Sequence, residues 1–213
     1  MRKFSFLLLL VAALALTLAG CSPGEQVPYT EPFDEPGTWR IEEDADVSGQ
    51  IQNGVYDLLV KTADLFIWTT AGETFGDGIY EVEATPVAGP LDNGYGMLFR
   101  IDDENDNFYL FQISSDGFVW IGRVQDGGRA ERQAIIGNWW FESDAVRQGL
   151  NVTNRLKVRA EGANMIFYVN DREVGRVTDD TFQRGDIGLM VETFGVGGVR
   201  VHFDNFSVSP LEN

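Results

Sequence analysis

From Phe33 onward the chain alternates between short apolar runs, rich in Val, Ile, Tyr, Phe and Trp, and polar dipeptides that favour turns. The turn signals are Asn53-Gly54, Asp77-Gly78, Asn93-Gly94, Asp116-Gly117, Asp126-Gly127, Glu161-Gly162 and Asn170-Asp171. Through the middle of the chain they recur at roughly the 8–12-residue spacing of a β-sandwich or barrel. The pattern predicts strands over 54–61, 65–70, 78–86, 95–102, 108–114, 118–124, 130–136, 155–161, 165–170, 173–177, 187–193 and 199–209. Only 143–148 reads as a helical turn, with Ser143 as its cap. No internal repeat and no linker divides the body, so one all-β domain is expected over 31–210.

Side chains alternate between the two faces of a strand, so parity assigns a core. Asp116-Gly117 supplies the positive φ angles that a two-residue hairpin turn needs. Pairing about that dipeptide places Tyr109, Phe111, Ile113, Phe118 and Trp120 on one face, joined by Tyr95, Met97, Phe99 and Ile101. The reverse then carries Leu98, Arg100, Phe108, Leu110, Gln112, Val119, Ile121 and Arg123. An unpaired buried charge costs several kcal/mol, so the face without guanidinium groups is the expected core. The reverse is the expected open surface, and a one-residue slip in register would exchange the two.

The N-terminus follows a different pattern. Arg2 and Lys3 precede an almost unbroken run of Leu, Val, Ala and Phe from residue 4 to 18. A short basic region followed by an apolar stretch of this size reads as a secretory signal over 1–20. A membrane-spanning helix needs about 20 apolar residues, and this run is shorter. It ends in Leu18-Ala19-Gly20-Cys21, which resembles the lipobox of bacterial lipoprotein signal peptides. The resemblance implies cleavage before Cys21, a diacylglycerol on its thiol, and an extracytoplasmic protein held to a membrane by lipid alone. Residues 21–30, with Pro23, Gly24 and Pro28, read as the tether.

Charge and composition narrow the partners. The chain has 16 Lys and Arg against 33 Asp and Glu, a formal net charge of -17. Cleavage before Cys21 removes two positive charges and no negative ones, which takes the body to -19. Nucleic acid is therefore excluded as a partner, because its binders need a basic footprint. A body of this charge is also repelled by anionic lipid headgroups, so the anchor would be the only membrane contact. With one Cys there is no intrachain disulfide and no cysteine-clustered metal site. His202 is the only histidine and no Gly-x-Ser-x-Gly elbow occurs, so neither zinc nor serine chemistry is indicated.

Several short segments carry a family resemblance. They are Tyr95-Gly96-Met97-Leu98-Phe99-Arg100, Asp106-Asn107-Phe108-Tyr109-Leu110-Phe111 and Ser115-Asp116-Gly117, and, downstream, Phe167-Tyr168-Val169-Asn170, Gly185-Asp186-Ile187-Gly188 and Phe203-Asp204-Asn205-Phe206. Together with Phe33-Asp34, Trp39, Trp140 and Asn154-Arg155-Leu156, this set resembles the concanavalin A-like lectin/glucanase modules. More narrowly it is similar to the laminin-G-like and 3-keto-disaccharide hydrolase (DUF1080) domains. The resemblance implies a two-sheet antiparallel jelly-roll sandwich whose concave face binds a polysaccharide or other glycan. Glucanases of this fold carry Glu-x-Asp-x-x-Glu on one strand, because a retaining mechanism needs two carboxyls about 5–5.5 Å apart. That motif is missing, which favours non-catalytic binding; a 3-keto-disaccharide hydrolase and a structural or adhesive module that binds a protein remain the alternatives.

The candidate ligand-binding residues are Arg100, Gln112, Arg123, Trp140, Glu81 and Glu83. Glu81 and Glu83 share a strand face and read either as a carboxyl pair or as a salt-bridged surface, with Arg100 as their prospective partner. Trp68, Trp120, Trp139 and Trp140 are candidates for stacking on a sugar ring, because indole offers a broad apolar face and one N–H donor. Parity assigns Trp120 to the core; Trp139 and Trp140 face opposite ways, so one is expected buried and the other at a groove rim. No cofactor is expected. Structural calcium is conceivable at the oxygen-rich 102–107 turn, or at Asp34 with Asp204 and Asn205, although the turn lacks the Gly and distal Glu of an EF-hand loop.

Overall fold

A computed structural model describes residues 28–37, 39, 43–128 and 132–211. The signal segment, Cys21 and most of the tether lie outside the described residues, as do the first two positions of the strand expected over 130–136. Among the described residues there are fifteen strands and one short 3-10 turn, Asp126–Gly128. The strands are β1 (Tyr29–Glu31), β2 (Val47–Gln52), β3 (Val55–Val60), β4 (Phe66–Thr70), β5 (Gly78–Ala88), β6 (Gly94–Asp102), β7 (Asn107–Ser114) and β8 (Phe118–Val124). The second half comprises β9 (Gln133–Ala134), β10 (Phe141–Glu142), β11 (Asn154–Glu161), β12 (Asn164–Val169), β13 (Arg172–Thr178), β14 (Asp186–Glu192) and β15 (Val199–Ser209).

Two antiparallel sheets stack face to face. The first runs β13-β12-β11-β5-β15-β3-β2, with β1 also paired to β15, and the second runs β10-β8-β7-β6-β14-β4, with β9 added to β8. In the first sheet burial alternates along β5, β11 and β15, broken in β15 by the irregularity at Asp204-Asn205, as expected of a sheet with one face in the core and one toward water. The core between the sheets holds Tyr80, Phe167 and Phe203 from the first and Tyr95, Met97, Phe99, Tyr109, Phe111 and Ile113 from the second. Phe111 meets Phe167 edge to face across the gap, with ring centroids 5.3 Å apart. The helical turn expected at 143–148 is an irregular turn instead, in which Ser143 Oγ accepts the Ala145 N–H at 3.3 Å.

Two irregularities correct the parity argument. The hairpin between β7 and β8 has three loop residues, Ser115, Asp116 and Gly117, so that Ile113 pairs with Val119 and Gln112 with Trp120. Gly117 takes a φ of 104° and its N–H donates to Ser114 O at 3.1 Å. Such a loop, closed by a positive-φ glycine, is the next commonest hairpin after the two-residue form. The extra residue turns every side chain of β8 over: Val119 and Ile121 enter the main core, whereas Phe118 and Trp120 leave it. The second irregularity is a bulge where the β6–β7 register slips between Phe99 and Asp102. Arg100 sits there with a φ of 52°, and the bulge exchanges it with its neighbour. Ile101 goes to the outer face and Arg100 goes inward.

The outer face of the second sheet is not uniformly wet. Leu98, Ile101, Phe108, Leu110, Trp120, Val124 and Met190 form a second apolar cluster there, covered in part by Phe66, Ala134 and Trp140. Strands β6, β7 and β14 are accordingly buried on both faces.

Candidate functional site

The candidate residues divide among three regions. Arg100 is fully buried and reaches toward the first sheet. Its guanidinium donates to Gly162 O at 3.0 Å, Phe182 O at 2.9 Å and Asp77 Oδ1 at 3.0 Å. It pins one end of the sandwich and does not face the open surface. Arg123, turned over with the rest of β8, goes to that same end. It pairs with Asp179, donates to Thr181 Oγ1 at 2.6 Å and contacts Gln133 Oε1 at 3.0 Å. Burial alone would raise the Asp179 carboxyl, but hydrogen bonds from Tyr109 and Thr181 and the charge of Arg123 hold it below the usual carboxylate range.

Glu81 and Glu83 lie on the outer face of the first sheet, on the opposite side of the molecule. Their partners come from the neighbouring strands rather than from Arg100: Arg155 and Lys157 approach Glu81 at 3.5 and 3.7 Å, and Asn205 Nδ2 donates to Glu83 at 3.3 Å. The salt-bridged alternative describes them. For calcium, Asp102 spends its oxygens on Glu104 N–H and Asn105 Nδ2, as in an ordinary Asx turn. Asp34 does come near enough to Asp204 to help raise its carboxyl, after burial and Glu83. Among the described residues no group of three or more His, Cys, Asp and Glu is arranged to hold a metal ion.

Gln112 and Trp140 remain on the outer face of the second sheet. Gln112 is buried there and donates to Glu192 Oε2 at 3.3 Å. Arg132 arches over the sheet, donating to both Glu192 oxygens while its guanidinium carbon lies 5.0 Å from the Phe66 ring centre. Gln112 Oε1 and Trp120 Nε1 are buried without a hydrogen-bond partner among the described residues. Trp140 packs over Gly94, where a Cβ would stand 3.3 Å from the indole and 2.3 Å from Gln112 Oε1. A side chain at 94 would displace both, so the glycine is what lets Trp140 lie close to the sheet.

Beside Trp140 the sheet opens into a pocket of about 330 Å³, lined by Asp92, Ser114, Asp116, Phe118, Trp139, Trp140 and Phe194. Four separate segments build it, and backbone hydrogen bonds fix them to one another. Asp116 N–H donates to Leu91 O at 3.1 Å, and Ser143 N–H donates to Gly117 O at 2.9 Å. Asn93, itself buried, accepts the Phe194 N–H at 2.8 Å. Trp139 is 60% exposed and Phe194 36%. Trp140 stands edge-on to Phe194, with ring centroids 6.4 Å apart, and Trp139 edge-on to Trp120. The sequence marked Trp139 and Trp140; Asp116 stood there only as half of a turn dipeptide and Asp92 and Phe194 carried no signal, because loops far apart in the chain bring them together.

A second hollow, about 580 Å³, lies along the open seam between edge strands β2 and β4, with Trp68, Thr70, Tyr56 and Asp103 among its walls. Partial burial, and then the charge of Asp186, whose carboxyl it also hydrogen-bonds, push the Asp103 carboxyl up to about 6. A carboxyl raised on folding adds stability that is fully present below the usual carboxylate range and lost as pH rises through about 6. Asp103→Asn keeps a hydrogen-bonding amide without the charge, so the variant should gain on the parent between pH 4 and 7. Thermal midpoints across that interval check it, and parallel profiles would contradict the shared proton.

No family model matches the sequence, and no curated protein is similar to it. The structure is similar to that of a carbohydrate-binding module, CBM66, from Bacillus subtilis, with a TM-score of 0.64 at 20% identity over 81% of this chain and 96% of that one. It is similar to a β-glucanase of Bacillus licheniformis, with a TM-score of 0.61 at 14% identity over 86% and 98% of the two chains. It is likewise similar to a β-1,3-1,4-glucanase from a mouse hindgut metagenome, with a TM-score of 0.62 at 13% identity over 87% and 100%. At these identities the likeness is one of fold: the chain is a concanavalin A-like jelly-roll sandwich of two antiparallel sheets.

Proposed function

We propose that this protein binds carbohydrate without cleaving it, through the aromatic pocket at the end of the second sheet. The observation that carries this reading is the hydrogen-bond-fixed rim of exposed Trp139 and Phe194 and half-buried Trp140 around two carboxylates. Sugar rings present one apolar face to stack and equatorial hydroxyls to donate, and a rim of indole faces beside acceptors suits both. A rim held in place before the ligand arrives also loses less conformational freedom on binding. The shared fold with a carbohydrate-binding module and two glucanases supports the same reading.

Binding to a panel of soluble polysaccharides tests it. Retention by at least one of them is expected, and no binding to any would overturn the reading. Cleavage is disfavoured because Glu192 is held through both oxygens by Arg132. The proposal extends to the N-terminus: lipid on Cys21 would hold the acidic body outside the cytoplasm on its tether, free to reach a glycan. Intact mass of the membrane-extracted protein tests this, with a chain that begins at an acylated Cys21 expected and an uncleaved or unacylated chain contradicting it.

A further inference from the structure

We propose that the pocket at Trp139 and Trp140 selects a cationic sugar, an amino sugar whose nitrogen is a free ammonium. The inference rests on the carbohydrate reading and adds the charge of the ligand to it. Two carboxylates, Asp92 and Asp116, line the pocket, and among the described residues no lysine or arginine does. Neither acid takes part in an ion pair among the described residues, and Asp92 accepts no hydrogen bond from them. Several acids elsewhere on the molecule have cationic partners: Glu192 has Arg132, Asp179 has Arg123, and Glu81 has Arg155 and Lys157. Here two are left together at the mouth of a hollow.

The hydrogen-bonding character of the lining gives the sign. A neutral sugar hydroxyl both donates and accepts, whereas an ammonium only donates. The carboxylates and ring faces of the pocket only accept. Its one side-chain hydroxyl, Ser114, already donates to Asp116, which leaves the indole N–H groups as the side-chain donors. The faces of Trp139, Trp140 and Phe194 attract a cation through their quadrupoles as well as stacking on a ring. N-acetylation would remove the charge and set an amide carbonyl against Asp92 and Asp116, which offer it nothing to accept from. The pocket is therefore matched to the deacetylated sugar on three counts: charge, donor count and ring face.

Titration calorimetry of the full chain with a glucosamine tetramer, its N-acetylated counterpart and a glucose tetramer tests the proposal. The glucosamine tetramer is expected to bind at least about tenfold more tightly than either neutral oligomer. The double variant Asp92→Asn with Asp116→Asn should erase that preference, while Asp180→Asn, an exposed acid at the other end of the sandwich, should leave it intact. Should the double variant be destabilised, Asp92→Asn alone repeats the test at an exposed loop position. Equal or tighter binding of the neutral oligomers would overturn the charge preference and leave carbohydrate binding standing. A preference that survives the double variant would assign it to the acidic surface at large and overturn the site. Choline binding as tightly as the tetramer would overturn the sugar as the source of the ammonium. Failure of every oligomer to bind would overturn the carbohydrate reading as well.

Discussion

Replacing Arg100 with methionine is expected to destabilise the protein by about 2 kcal/mol, although methionine keeps most of the side-chain volume. Arg100 is completely buried, and one guanidinium serves three acceptors drawn from the β4–β5 connection, the β11–β12 turn and the β13–β14 connection. Methionine would leave the carbonyls of Gly162 and Phe182 without their donor; Phe182 is half-buried, where an orphaned acceptor costs about 1–3 kcal/mol, whereas Gly162 lies on an exposed turn and water can replace part of its bond. Asp77 is half exposed and can be rehydrated, so its share is smaller. Lysine should recover only part of the loss, because a single ammonium cannot reproduce a planar fork aimed at three separate oxygens. Urea unfolding midpoints at constant slope measure this. A loss below about 1 kcal/mol would mean that Arg100 does not tie the two sheets together.

The second large effect is on binding. Substituting Trp139 and Trp140 together by alanine is expected to lower affinity for the retained polysaccharide by about a thousandfold, since aromatic anchors each contribute about 2 kcal/mol or more at binding hot spots and about 1.4 kcal/mol is tenfold. Stability should separate the two residues. Trp139 is mostly exposed, and its ring meets Trp120 edge to face, so its loss alone should leave the unfolding midpoint nearly unchanged. Phe111 gives the contrast: wholly buried and edge-on to Phe167, it should cost about 3–5 kcal/mol on truncation to alanine. An aromatic that affects the ligand and not the fold is the signature expected of Trp139. Unchanged affinity in the double variant would remove the pocket from the account.

Much of this architecture is legible in the pattern of residues. The alternation along 95–102 and 108–114 assigns Tyr95, Met97, Phe99, Tyr109, Phe111 and Ile113 to the core, and there they lie. The errors have a common origin, since each follows from one residue of register. A glycine after an aspartate fits a two-residue or a three-residue hairpin, and only long-range pairing decides; the three-residue form moved Trp120 out of the main core and Arg123 toward it. At Arg100 the strand bulges, and nothing local announces a bulge when three distant oxygens are what hold the guanidinium inside. The reverse face, expected wet because of its arginines, loses both of them and is left apolar enough to bury itself. Strand β2, with its polar and glycine positions, and the two-residue strand β10 carry too little apolar periodicity to be read, whereas β9 falls within the strand expected over 130–136. The pocket was legible only through its tryptophans. Asp92, Asp116 and Phe194 belong to loops whose meeting depends on the order of strands in the sheet.

The most direct test of the central claim is a chemical-shift map of the full chain titrated with an oligosaccharide that it binds. Perturbation of the Trp139 and Trp140 indole N–H signals and of the Asp92, Asp116 and Phe194 amides is expected, with strand β5, which carries Glu81 and Glu83, unmoved. Shifts confined to the Trp68–Asp103 seam or to the outer face of the first sheet would contradict the claim.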